Sequence, residues 1–558
     1  MDASAPRQRA VSGTGHVAAV AVAVAVAVAG VVAAGALAGC GAEPPPLPLA
    51  PLPPPAAVDT ARFADAARCA QCHTAGDTAL RDAAGRDVSP VARWRPSMMA
   101  LAARDPMYLA VWSADRAAAA DPAAVDALCV RCHAPAGAEE AAEHGGALGF
   151  DDLVAATHAA AVIGREGVTC TACHQIGAAG LGSEASLSGG FRIGFERTLW
   201  GPIAAPLTGP MAMFVRYTPA YGAHLLDSAL CGTCHVVLVP LPGGGELVEQ
   251  ATYLEWRSSS FAAPPVTSCA ACHLPTVDED GATLATAIAR FPEDLGPRRL
   301  GRHELVGGNA WMLRRLAGAV DWLGAGVTAD ELLAAADRTE RFLARAATVR
   351  VARAAREGSE LVIDVAVENH TGHKLPTGYP TRRVWLELVV RAGDAVVFHS
   401  GAVDARGALV AAAGAAGVRP HHDEITSADE VQVYEAVFVD GARRPTARAL
   451  EARDVIKDNR LLPAGWAPAA SDAGRVAIIG VARDPDFAAG GDTVTYRVAG
   501  APAAALTVTA TLWYAPVAPE VVDELAAIAT PAGARFAAVT GDGAVPPTRL
   551  ATETATVP

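Results

Sequence analysis

From Val349 onward apolar and polar residues alternate with a period of two. Leu361–Glu368, Val384–Val390, Val431–Val439, Val476–Val481, Thr493–Val498 and Leu506–Trp513 read as strands, with Gly, Asp and Pro between them. Several short strands with turn signals predict an antiparallel sandwich over 349–515. Upstream, Thr328-Ala-Asp-Glu331 is a capping box. Leu332, Leu333, Ala336, Leu343 and Ala346 follow it on one face of a helix predicted to reach about Ala347. Leu153–Ala161 and Ala223-His224-Leu225-Leu226 read as helical pieces. The Ala/Pro/Thr-rich stretch 516–558 is expected to be a partly disordered tail.

Val17 to Ala36 is unbroken Ala, Val and Gly, and its alternation imitates a strand. Arg7 and Arg9 before it and Leu37-Ala38-Gly39-Cys40 after it mark an export signal over 1–39 instead. The alternative is a retained anchor, since about 20 apolar residues can span a bilayer. Leu-Ala-Gly-Cys resembles the lipobox of bacterial lipoproteins, which implies cleavage before Cys40 and lipidation there. Gly41 replaces the Asp that usually retains such lipoproteins in the inner membrane, so the resemblance leans to the outer membrane. Residues 40–58 hold two Pro triplets, Pro44 to Pro46 and Pro53 to Pro55, and read as an extended tether.

The 558 residues leave room for two to four domains, and 51% apolar content excludes wholesale disorder. A formal charge of −14 provides no basic stripe for phosphates, which argues against nucleic acid as a partner.

Ten of the eleven cysteines form five copies of one pattern: Cys69/Cys72/His73, Cys129/Cys132/His133, Cys170/Cys173/His174, Cys231/Cys234/His235 and Cys269/Cys272/His273. C-x-x-C-H is the attachment pattern of c-type haem. The two thiols add to the haem vinyl groups, and the adjacent His is placed to bind the iron. This composition would supply about 0.006 such motifs by chance. Zinc knuckles do not require a His after every second Cys, and a redox C-x-x-C normally occurs once. Five covalent haems on about 200 residues leave little room for a protein core, so the porphyrins must form much of it.

The sixth iron position separates a wire from an enzyme: two strong axial ligands give an electron-transfer haem, and an open side admits substrate. Outside the motifs, the histidines past the signal are His144, His158, His224, His303, His370, His373, His399, His421 and His422. His224 is a distal candidate before the fourth motif. His144 and His158 compete for one role, and His158 is preferred because its surroundings look helical. His303 lies near Gly307 and Gly308, which would let backbone approach a porphyrin. Met98 or Met99 is a candidate for the first haem, although Met pairs also fill apolar gaps. If neither binds, that haem is the one with an open side. His373 could reach back from its tight loop to a haem and join the two parts of the chain. His421-His422-Asp423-Glu424 offers metal-binding groups or a solvated polar loop.

Further stretches carry a resemblance: Trp200-Gly201-Pro202, Thr252-Tyr253-Leu254-Glu255-Trp256-Arg257-Ser258, Cys272-His273-Leu274-Pro275, Gly307-Gly308-Asn309-Ala310-Trp311-Met312 and Asn369-His370-Thr371-Gly372-His373-Lys374-Leu375-Pro376-Thr377-Gly378-Tyr379-Pro380. With the motifs, they make residues 60–515 resemble a family of bacterial multihaem c-type cytochromes, many of them lipoproteins. Leu274 stands where such members often have Met. The resemblance implies electron transfer in the cell envelope.

The expected architecture is therefore a mainly α, haem-packed domain over 59–315, connecting helices over 316–348 and an antiparallel sandwich-like domain over 349–515. The expected cofactors are five covalent haems c. The expected partners are redox proteins of the periplasm or outer membrane, with the membrane itself reached through Cys40. The alternative is an oxidoreductase in which one five-coordinate haem acts on a small nitrogen or sulfur compound.

Overall fold

The computed structural model describes residues 50–411, 413–414 and 417–558. The expected signal segment, Cys40 and the first part of the tether lie outside these residues. The tether's end is packed: Leu52 is buried and its N–H donates to the Trp322 carbonyl at 3.0 Å. Among the described residues no helix is long and apolar enough to cross a membrane.

The period-two region folds into ten strands: β1 (Ala347–Glu357), β2 (Glu360–Asn369), β3 (Arg383–Ala392), β4 (Ala395–Ser400), β5 (Glu424–Ile425), β6 (Val433–Val439), β7 (Asp454–Asp458), β8 (Gly491–Ala499), β9 (Leu506–Ala515) and β10 (Thr548–Val557). One sheet runs β7-β6-β3-β9-β10, with β4 also on β3; the other runs β5-β8-β2-β1. All pairs are antiparallel except β5 with β8. Alternate residues fill the space between the sheets. Leu361, Ile363, Val365 and Val367 of β2 and Val494, Tyr496 and Val498 of β8 meet Val384, Leu386 and Leu388 of β3 and Val508, Ala510 and Leu512 of β9.

Three expectations are corrected. Val476–Val481 is not a strand: only Ile479 bridges, to Asp458. Val476 instead packs with Val236 and Leu254 of the motif-bearing half, and the Ala477 carbonyl accepts from Lys374. The 516–558 tail is folded, with helices Pro519–Ala526 and Pro531–Thr540 before β10. Val522, Leu525 and Phe536 anchor those helices, and facing threonines of β9 and β10 pair across the strands, as in Thr511 with Thr552 at 3.0 Å. Leu153–Ala161 is two helices, Phe150–Ala155 and Ala159–Gly164, because extended backbone at Ala156 and His158 interrupts it. The capping box forms as expected: Thr328 and Glu331 bond reciprocally at the start of Ala329–Leu343.

The motif-bearing half consists of short helices, long loops and three two-stranded sheets. It shares apolar clusters with the sandwich. Val237, Val239 and Leu247 pack with Ala436, Phe438 and Ala452, and Leu101 and Ala110 lie in one cluster with Trp311, Trp385 and Val433. Leu49–Pro558 accordingly forms one compact unit.

A buried polar knot ties the halves further. Lys374, with no exposed side-chain surface, reaches Asp458 at 2.7 Å. Arg460 bridges Asp458 at 2.7 Å and Glu255 at 2.9 Å. Glu255, on helix Thr252–Arg257, also accepts from Thr377 and from the Lys374 N–H. Burial alone would raise Asp458, but Arg460 and Lys374 outweigh it and hold the carboxyl at about 2.

Two outcomes follow from this knot. Lys374→Met strands a buried carboxylate and should cost about 3 kcal/mol or more in denaturant unfolding; a loss below ~1 kcal/mol would show the knot to be dispensable. The Asp458 contribution is full above the ordinary carboxyl value of 3.8 and is lost as pH falls through about 2. Asp458→Asn should therefore remove part of the acid limb of a stability–pH curve, and an unchanged limb would count against this assignment.

Candidate haem sites

Each motif sits on a short helix: Ala66–His73, Pro122–His133, Cys170–Cys173, Ser228–Gly232 and Cys269–His273. Side-chain oxygens start four of the five, with Asp65, Asp121, Thr169 and Asp227 accepting N–H groups of the first turn. One helical turn places the two cysteines, three residues apart, on the same face. None of the ten is in a disulfide.

The motifs are gathered together. Cys69 lies near Cys170, Cys132 near Cys234 and Cys231 near Cys269. The Cys269 N–H also donates to Ser228 at 3.0 Å, joining the start of the fifth motif to the fourth. Burial pushes the Cys173 thiol up to about 12.

Four of the five motif histidines are oriented by a backbone carbonyl at Nδ1: His73 by Ile288 at 2.9 Å, His133 by Ala102 at 3.1 Å, His174 by Trp200 at 2.7 Å and His273 by Val306 at 2.7 Å. A carbonyl at Nδ1 fixes the proton there and leaves the Nε2 lone pair for a metal. Desolvation lowers His73, His133, His174 and His273 and holds His133 at about 4, so these rings are neutral. Cysteine pairs, a shared face and an oriented neutral imidazole fit covalent haem.

His303 is half-buried and neutral, held at about 4 by desolvation and then by the neighbouring His174. Its Nδ1 bonds the Gly301 carbonyl at 2.9 Å. Its ring centroid lies 6.3 Å from that of His174, with the planes 23° apart. An imidazole nitrogen sits about 2 Å from a bound transition metal, so two rings on opposite sides of one iron have centroids roughly 6 Å apart. His373 is half-buried likewise, with Nδ1 on the Lys374 carbonyl at 2.8 Å and the imidazoles of His235 and His273 close by.

The remaining candidates are placed elsewhere. The His158 side chain is 50% exposed; it caps Ala159–Gly164 through Nδ1 and meets Asp152 at 3.3 Å through Nε2. His144 is 71% exposed beside Glu140. Neither reaches a motif, because Ala160, Ala161 and Ile163 take the inward positions of that segment. His224 is half-buried, and its Nε2 is engaged by the Ile176 carbonyl at 2.9 Å. Met98 packs in the cluster of Leu101 and Trp311 and fills protein core; Met99 is half-buried, and its carbonyl accepts from Val168. His370 meets Thr348, and His399 meets Glu387.

Sequence reasoning missed the carbonyls that orient the motif histidines. Two of them do lie in or beside quoted stretches, Trp200 within Trp200-Gly201-Pro202 and Val306 just before Gly307-Gly308-Asn309. Tyr108 was also missed: its ring stacks on His133 at 3.8 Å with planes 2° apart.

No protein-family model and no curated protein sequence matches the chain. Among solved structures, the fold is similar to that of a penta-heme cytochrome c552 from Thermochromatium tepidum, with a TM-score of 0.50 and 16% identity over 89% of this chain and 99% of that one. At that identity the likeness concerns fold alone.

Proposed function

We propose that the chain is a five-haem c-type cytochrome that carries electrons between redox proteins of the bacterial cell envelope, exported and held to the membrane by a lipid on Cys40. The observation that carries this reading is the gathering of five C-x-x-C-H motifs, with four of the histidines oriented for a metal. Bound haem c supplies one-electron iron chemistry. The chain's part is attachment through Cys69, Cys72, Cys129, Cys132, Cys170, Cys173, Cys231, Cys234, Cys269 and Cys272 and ligation by the five motif histidines. His303 is assigned as the second ligand opposite His174. His373 is assigned as a ligand delivered by the sandwich.

One observation favours a second reading. Among the described residues His303 and His373 lie beside motif imidazoles with an Nε2 that takes no hydrogen bond, two against five motif histidines. Three irons then lack a second histidine of this kind, which leaves room for Met99 or for an open side where a small nitrogen or sulfur compound could react.

Low-temperature EPR and optical spectra of the purified, fully haem-loaded protein separate the two. Five low-spin haems, inert to carbon monoxide when reduced, support the carrier; a stoichiometric high-spin haem that binds carbon monoxide supports the oxidoreductase. His303→Ala should convert one low-spin haem to high-spin, and His158→Ala should leave the spectra unchanged. Unaltered spectra in the His303 variant would overturn its assignment.

A further inference from the structure

The segment His421-His422-Asp423-Glu424 does not stand alone in the fold. His421 and Asp423 precede β5, Asp484 and Asp486 lie in the loop before β8, and Asp492 is on β8 itself. Ligand atoms of Asp423, Asp484 and Asp486 lie within 4.8 Å of one another, and so do those of His421, Asp484 and Asp492. Asp484 belongs to both sets and keeps only 1% of its side chain exposed.

The imidazole is already committed. Its Nδ1 accepts from Gln432 Nε2 at 2.8 Å and from Asn459 Nδ2 at 2.9 Å. Both amides are fixed in that sense, since Gln432 Oε1 accepts the His422 N–H and Asn459 Oδ1 accepts the Glu435 N–H. The His421 proton therefore sits on Nε2 and is donated to Asp484 Oδ2 at 2.6 Å. His421 holds Asp484 in place and offers no lone pair, so the groups left to bind a ligand are all carboxylate oxygens.

An independent observation points into the same corner. Asp492 is 4% exposed; its Oδ2 receives the Tyr434 hydroxyl at 2.7 Å, but its buried Oδ1 has no donor at all. A buried carboxylate oxygen without a partner is costly, and an adjacent cation removes that cost.

We propose that Asp423, Asp484, Asp486 and Asp492 form a site for one hard divalent cation of the calcium class, which joins the lead-in to β5, the loop before β8 and β8 itself. Oxygen-only donors of high negative charge select such an ion over zinc, which favours nitrogen and sulfur.

The test uses the full haem-loaded chain, stripped with a chelator, desalted and titrated with calcium chloride. One calcium per chain, retained alongside an unchanged iron content, and a rise in melting temperature on calcium addition are expected. Asp484→Asn should abolish binding. Asp486→Asn, at an exposed position that leaves folding intact, should weaken it by about tenfold or more. The haem spectra should be the same in every sample, which keeps this result separate from the electron-transfer reading. No retained calcium and no melting shift at millimolar calcium, calcium binding undiminished in both variants, or binding of zinc in place of calcium would each overturn the proposal.

Discussion

A carboxylate buried between the fourth and fifth motifs needs cations, and the chain supplies them from the sandwich. Glu255 has no exposed side-chain surface, and Arg460 meets it from beyond β7. Asp458 then holds both Arg460 and Lys374, so three elements far apart in sequence share one buried set of charges. Removing a single member leaves an uncompensated charge, whereas the complete set is satisfied. Neither half can therefore reach its final packing without the other. The motif-bearing half, short of its own regular structure, depends on the sandwich for a wall.

The same knot fixes where His373 points. Lys374 is its immediate neighbour, and Asn369 clamps the loop from the other side by donating to the His373 and Leu461 carbonyls. Leu375 pairs with Leu461 through backbone hydrogen bonds in both directions. A histidine on such a loop loses little further freedom on binding a metal, because its backbone is already spent on other partners. The Asn369–Pro380 stretch thus combines a structural lysine with an oriented imidazole, and the stretch around Glu255 is its complement.

What could be read in the sequence was local. C-x-x-C-H is complete within five residues, and Thr328 with Glu331 is complete within four, so neither needs the fold to be recognised. The strand pattern was legible where β2, β3, β8 and β9 bury alternate residues between two sheets. It failed at β10, where Thr and Ala on a half-exposed edge carry too little apolar contrast. It also misled at Val476–Val481, where apolar residues serve the contact with Leu254 rather than a ladder. Distal ligation was the least legible feature. His158 and His303 are both isolated histidines, and only tertiary packing turns one outward to cap a helix and the other inward toward His174.

Such packing also explains why the orienting groups are carbonyls rather than side chains. A carboxylate at Nδ1 would bring a further buried charge into a region that already holds five rings and ten thiols. A backbone carbonyl supplies a hydrogen bond without charge; Ala102, Ile288 and Val306 offer theirs from turns and loops, and Trp200 from the short strand Thr198–Gly201. The long irregular connections between motifs are therefore not merely spacers. Their backbone acceptors set the tautomer and direction of four of the imidazoles, and longer regular helices would have consumed most of those acceptors internally.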